Sequence, residues 1–198
     1  SIRFMRMFMK GFNTPVVMRF ARLDLVRGEW RRYRFSLDEI REDVPIDVTD
    51  ETAFAVNAVN LEENGYRTPI PYVLPPGIDR QVIFGASNLV QQNEQSLAIY
   101  TCNLKDGDAR AVFRNLNMDM RTYGHLKMFV HGEAAGEFED LKHGDLNVFI
   151  RLGSDYNKNF YEYEVPLQVT PWGATDPWVI WPSLNDVDID FDVLKSIK

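Results

Sequence analysis

Residues 146–167 read LNVFIRLGSDYNKNFYEYEVPL, and this stretch decides the fold class of the chain. Every second residue on either side of a central turn is large and apolar, namely Leu146, Val148, Ile150 and Leu152, then Tyr161, Tyr163, Val165 and Leu167. A period of two is typical of a β-strand with one buried face. Because the Gly153-Ser154-Asp155 turn separates the two arms, the stretch predicts two strands joined as a hairpin.

Similar stretches recur along the chain, and aromatic residues make up 13% of it. The candidate strands are residues 2–9, 16–27, 30–35, 53–60, 97–102, 116–121 and 126–131. Helix signals are few: a capping box at residues 36–39 predicts a short helix to about Asp43, and residues 192–198 are a second candidate. Many short strands with few helices predict an all-β chain, an antiparallel β-sandwich or jelly roll with one or two short helices.

Residues 64–80 form a Pro-rich segment whose four prolines cannot donate to a central ladder: Pro69, Pro71, Pro75 and Pro76. We interpret it as an extended connector between two units. Residues 1–63 are then a partial β-sandwich unit that holds the C-terminal strands of a preceding module. Residues 81–198 are predicted to form a jelly-roll β-sandwich.

The charge of the chain is unevenly placed. Residues 1–35 hold nine Arg or Lys against two acidic residues, a net charge of +7, which leaves −14 for the remainder of a chain whose total is −7. A basic patch of this kind can bind nucleic acid, anionic glycans or an acidic protein surface. The alternative is that it pairs with the acidic remainder of the same chain.

An alignment gives the basic residues a more specific role. Residues 16–37 align without gaps with residues 146–167, which indicates either tandem copies of one sandwich or a chance similarity between amphipathic hairpins. The exposed charges reverse sign, because Arg31, Arg32 and Arg34 fall on Tyr161, Glu162 and Glu164. We expect Arg31, Arg32, Arg34, Glu162 and Glu164 to help dock adjacent modules.

Few residues point to catalysis or to a cofactor. Cys102, the single cysteine, is expected to be a buried structural thiol, and an enzyme would need a pocket that joins Asp119, His131 or Glu133. The turn residues Asp106, Asp108 and Asp155 are candidate ligands for structural calcium. Aspartate also occupies turns because it tolerates their geometry. We therefore expect a non-catalytic chain without a cofactor, structural calcium being the alternative.

Exposed aromatic residues are the candidates for ligand binding. Trp172, Trp178 and Trp181 lie in a stretch with three prolines, and Tyr156 lies in the hairpin turn. If they are exposed, these rings can stack on sugar rings. If they are buried, the tryptophans cover one open end of the core.

Five longer strings resemble the SprA family of gliding and secretion proteins of the Bacteroidota. They are RTPIPYVLPPGI at residues 67–78, LVQQNEQSL at 89–97, DGDARAVFR at 106–114, DMRTYGHLKMFVH at 119–131 and the block at 144–167. The resemblance covers nearly all of this chain but a small fraction of a SprA-type protein. It carries over no catalytic residue.

The resemblance implies a structural or interaction module of an outer-membrane translocon for type IX secretion and gliding motility, with a galactose-binding-like jelly roll. It implies the cell envelope, at the outer membrane or cell surface. Its partners would be the rest of a SprA-like chain, other secretion-system proteins or cargo. The alternative is a carbohydrate-binding module with a surface glycan as ligand. We expect no nucleic-acid partner and no membrane-spanning segment in this chain.

Overall fold

Short antiparallel strands make up most of the regular structure. The computed structural model describes residues 11, 13–14, 17, 30–37, 44–47, 49–83, 90–116, 118–136, 140–156 and 158–197. The strands are β1 (Arg31–Arg32), β2 (Ala53–Asn60), β3 (Val82–Ile83), β4 (Val90–Gln91), β5 (Gln95–Cys102), β6 (Val112–Phe113), β7 (His125–Met128), β8 (Asn147–Gly153), β9 (Phe160–Pro166) and β10 (Val187–Asp190). The α-helices are α1 (Leu61–Asn64), α2 (Pro177–Ile180) and α3 (Phe191–Ser196), and 3-10 turns occupy Met120–Thr122 and Ser183–Asn185.

The described strands form five two-stranded antiparallel sheets, β1–β6, β2–β5, β3–β4, β7–β10 and β8–β9. The described regular structure is mostly strand, with a few short helices. The prediction of an all-β chain is thus confirmed. The jelly-roll arrangement stays a prediction.

The predicted hairpin is confirmed. In the β8–β9 sheet, Val148 lies opposite Val165 and Ile150 opposite Tyr163, so the alternating apolar residues of both arms share one face. On the other face, the guanidinium of Arg151 bonds the carboxylate of Glu162 directly across the ladder.

The longest ladder joins strands that are distant in sequence. All eight residues of β2 pair with β5, from Ala53 opposite Cys102 to Asn60 opposite Gln95. β7 pairs with β10, which carries the alternating acidic and apolar residues near the end of the chain. The predicted strands at 53–60, 97–102 and 126–131 are thus found at or near their expected positions, as is the C-terminal helix.

One predicted strand is wrong. The stretch at residues 116–121 ends in the 3-10 turn at Met120–Thr122, and Leu116 and Met118 are exposed outside any strand. The alternation there comes from exposed apolar side chains rather than from a half-buried sheet. The predicted strands at 2–9 and 16–27 and most of the predicted helix at 36–43 lie outside the described residues.

The core is built around the Pro-rich segment. Ile70 and Tyr72 pack with Ile180 and Trp181, and partly buried side chains surround this cluster: Val59, Leu61, Val73, Phe129 and Ala174. The Trp181 indole N–H donates to the carbonyl oxygen of Val73 at 2.9 Å. The segment contains turns at residues 65–66 and 76–77 and a bend at 68–70, and its Ile70 and Tyr72 are buried between parts of the chain on both sides of it. The division into units at 64–80 stays a prediction.

Within the part of the chain that the structure describes, the helices are all too short to cross a membrane.

Candidate functional site

The basic segment at residues 31–36, which begins with β1, makes backbone hydrogen bonds to two other parts of the chain. Arg31 lies opposite Phe113 and Arg32 opposite Val112, and the Tyr33 N–H donates to the carbonyl oxygen of Ala111 at 2.9 Å. Farther along, the N–H of Ile46 donates to the carbonyl oxygen of Arg34 at 3.0 Å. The arginines therefore project from a backbone whose position is fixed.

A cluster of four aromatic rings lies beside these arginines. Tyr33 is buried, and its ring centroid lies 5.7 Å from that of Phe35, 6.3 Å from that of Phe113 and 5.2 Å from that of Tyr156. Tyr156 comes from the β8–β9 turn, and its hydroxyl donates to the amide oxygen of Asn115 at 3.1 Å. The cluster thus joins the hairpin turn to the β1–β6 sheet.

Arginines and rings together line a surface groove of about 530 Å³, which we call the basic–aromatic groove. Its lining residues are Arg31, Arg32, Tyr33, Arg34, Phe35, Phe113 and Tyr156. Among the described residues, no acidic side chain lines it. Its volume is within the range of small-molecule and side-chain pockets in proteins.

The three guanidinium groups differ in their contacts. The Arg32 guanidinium carbon lies 5.1 Å from the ring centroid of the buried Phe54, a cation–π contact that holds this side chain against the fold. All three arginines are exposed, and within the described ranges no carboxylate lies within ion-pair distance of any of them. A partner can therefore reach all three, and Arg31 and Arg34 can be substituted without losing the contact of Arg32 with Phe54.

Glu162 and Glu164, the predicted acidic counterparts, are engaged within their own hairpin. Glu162 pairs with Arg151, and Glu164 accepts a hydrogen bond from the side-chain amide of Asn147 at 2.7 Å. Both contacts cross from β9 to β8. The structure brings Tyr156 to the arginines, a combination that the sequence analysis did not predict.

The three tryptophans have separate environments. Trp181 is buried, with 7% of its surface exposed, and its ring packs in the core. This is the second of the two alternatives given above for the tryptophans. Trp172 is 38% exposed, and its indole N–H donates to the carbonyl oxygen of Ala134 at 3.1 Å. Trp178, in α2, is 70% exposed. Trp181 is therefore too buried for its ring to stack on a sugar.

The candidate calcium ligands serve their own turns. Asp108 pairs with Arg110 at 2.7 Å, and Asp155 accepts from the backbone N–H groups of Lys158 and Asn159 at 2.7 and 2.9 Å. Asp106 lies at the turn that includes Gly107. No group of three possible metal-binding side chains was found among the residues that the structure describes.

A polar network lies beside the core. Thr170 Oγ1 lies 3.1 Å from His131 Nδ1, His131 Nε2 lies 3.4 Å from Glu133 Oε2, and Glu133 also bonds Arg67. Burial raises the pKa of Glu133, but the hydrogen bonds and charges of His131 and Arg67 outweigh it and hold that pKa below its ordinary value. Because Thr170 is 2% exposed, a substrate cannot reach its hydroxyl without a rearrangement.

Tyr33, Phe35 and Phe113 were not predicted as site residues from the sequence. The signal for Tyr33 was present, because Arg31, Tyr33 and Phe35 alternate and share one face of an extended segment. Phe113 had no such signal, since its place beside Arg31 depends on the pairing of β1 with β6, about 80 residues apart in the chain.

The chain is thus a strand-rich protein whose candidate site is an arginine-lined aromatic groove. The SprA_N family model, described as motility related/secretion protein, matches residues 1–198. The chain therefore belongs to the SprA_N family of motility-related and secretion proteins. No curated protein matches its sequence.

Proposed function

We propose that the chain is a non-catalytic interaction module of a SprA-type outer-membrane translocon, outside the membrane, that serves type IX secretion and gliding motility. Membership of the SprA_N family over residues 1–198 supports a role in motility or secretion. The basic–aromatic groove is the observation that carries the interaction role, because it presents arginines that meet no carboxylate among the described residues, next to exposed rings.

Arginine and tyrosine are enriched among the residues that contribute most to protein–protein binding. A guanidinium recognises carboxylates with two parallel hydrogen bonds, and aromatic rings offer apolar area at low entropic cost. The proposed partners are the rest of a SprA-like chain, other secretion-system proteins or cargo. The proposed location is the cell envelope, at the outer membrane or the cell surface.

The proposal is tested in the native host with the double substitution Arg31→Glu/Arg34→Glu in the chromosomal copy of the gene. Arg32 is left in place because it packs on Phe54. The matched control is Lys127→Glu/Lys142→Glu, which makes the same charge change at two exposed lysines outside the groove. We expect the arginine variant to reduce secretion of reporter cargo and gliding speed at normal protein levels, and the lysine variant to behave as wild type. Equal secretion and gliding in both variants would overturn the proposal.

A further inference from the structure

We propose that the basic–aromatic groove binds an extended acidic peptide segment that carries an aromatic side chain. This inference rests on the proposed function, because it names the partner chemistry of the same groove. It is carried by the placement of Arg31 and Arg34 around the ring cluster of Tyr33, Phe35, Phe113 and Tyr156.

The charge of the groove selects for an acidic partner. Among the residues that the structure describes, the charged side chains lining the groove are all arginines, and they meet no carboxylate there. Unpaired guanidinium groups of one sign attract carboxylates and repel basic segments, which sets both the rate of encounter and the choice of partner. Arg31 and Arg34 are three residues apart in the segment that begins with β1, so a partner that reaches both must span about 10 Å.

The ring geometry favours an inserted side chain over a stacked sugar. The ring planes of Tyr33 and Phe113 meet at 89°, and those of Phe113 and Tyr156 at 68°. Rings that meet edge to face pack directly on each other and present an uneven surface to the groove, whereas a sugar platform needs an exposed flat face. Phe35 and Tyr156 are 40% and 42% exposed, so a third ring from a partner can pack beside them.

The test uses the 198-residue chain and fluorescence anisotropy with a fluorescein-labelled peptide of alternating glutamate and tyrosine. Three comparison ligands are a lysine–tyrosine peptide, a glutamate–serine peptide and dextran sulfate. Arg31→Gln/Arg34→Gln is compared with Lys127→Gln/Lys142→Gln, which removes the same charge elsewhere. Circular dichroism and thermal melting of each variant confirm that it is folded.

We expect the glutamate–tyrosine peptide to bind, and Arg31→Gln/Arg34→Gln to weaken it about tenfold, the effect of losing two partly exposed ion pairs. Raising the salt concentration should weaken wild-type binding further. The lysine control should bind as wild type, the lysine–tyrosine peptide should not bind, and the glutamate–serine peptide should bind more weakly. Equal affinity for both acidic peptides, displacement by dextran sulfate, or binding unaffected by the arginine substitutions would overturn the inference.

The two proposals fail separately. If the peptide does not bind but Arg31→Glu/Arg34→Glu impairs secretion, the partner chemistry is wrong and the proposed function stands. If the peptide binds as expected but the same alleles secrete and glide normally, the groove has its ligand and the proposed function is wrong.

Discussion

The Nδ1 atom of His131 lies 2.8 Å from the carbonyl oxygen of Ile180, the last residue of α2. On the other side of the ring, Nε2 faces the carboxylate of Glu133, which also bonds Arg67 in the Pro-rich segment. Both imidazole nitrogens thus lie within hydrogen-bond distance of oxygen atoms from other parts of the chain. His131 therefore links the Pro-rich segment, the stretch after β7 and the end of α2.

His131→Ala is expected to lower the free energy of unfolding by about 2 kcal/mol, because it leaves part-buried acceptors without their donor. His125→Ala is the matched control, since His125 is half exposed and pairs with Asp188 on the surface. His125→Ala should lower the free energy of unfolding by less than about 1 kcal/mol. Urea unfolding of both variants measures the difference, and similar losses would show that the His131 network does not stabilise the fold.

We expect the ion pairs of Glu133 to make the stability of the protein fall at acidic pH. Its pKa is lowered in the folded state, so its stabilising effect is fully present above the unfolded pKa of about 4.5 and is lost as the pH falls through the lower folded value. Glu133→Gln should therefore destabilise the protein at pH 7 and much less at about pH 3. Urea midpoints at both pH values test this, and an equal loss at both would contradict it.

Local patterns explain which parts of the fold the sequence predicts. The β8–β9 hairpin, β2, β5 and α3 follow from alternation, turn chemistry and capping within short stretches. The burial of Ile70 and Tyr72 does not, because it depends on Ile180 and Trp181 more than 100 residues away. The prolines indicate a segment outside a central ladder, but such a segment is equally compatible with a solvated linker and with a core position.

The candidate site was predicted in parts. Charge patterning identified the arginines of β1, and turn position identified Tyr156, but nothing local places the two together. The 5.2 Å contact between the Tyr33 and Tyr156 rings arises only when the hairpin turn packs on the β1–β6 sheet. The alignment that paired Arg32 and Arg34 with Glu162 and Glu164 could not show that Glu162 is already paired with Arg151 across its own hairpin.

Arg110 is expected to be the ion-pairing residue whose loss is most costly. Its side chain is 5% exposed and bonds Asp50, in the segment before β2, as well as Asp108. Arg110→Met should lower the free energy of unfolding by about 3 kcal/mol, because it leaves two carboxylates without the cation that they share. Lys195→Met is the control, because the pair of Lys195 with Asp192 is exposed and should contribute less than about 1 kcal/mol. Thermal melting with calorimetry measures both; a small loss for Arg110→Met would contradict its structural role.

Gly153 closes β8 where the hairpin backbone is most crowded. A Cβ atom there would collide with the carbonyl oxygen of Asn159 and lie 2.6 Å from the Cα atom of Phe160. Gly153→Ala should therefore lower the unfolding free energy by about 2 kcal/mol, since backbone must move. Gly124→Ala is the control, because a Cβ there meets no atom within 4 Å. If both substitutions have the same effect on urea unfolding, the close approach is not what requires glycine.

Asp155 distinguishes a turn-forming role from a calcium site. Its carboxylate accepts from two backbone N–H groups and from the Asn159 side chain, all within the β8–β9 turn. Asp155→Ala should lower the free energy of unfolding by about 1 kcal/mol with or without calcium, because the N–H groups of the turn lose their acceptor. Asp140→Ala, at a carboxylate whose pair with Lys142 is exposed, should lower the free energy of unfolding by less than about 1 kcal/mol. The measurement is the melting temperature in excess calcium and in EDTA. A rise with calcium that Asp155→Ala abolishes would establish a calcium site at this turn, whereas equal melting temperatures in both buffers would leave Asp155 as a residue that closes the hairpin.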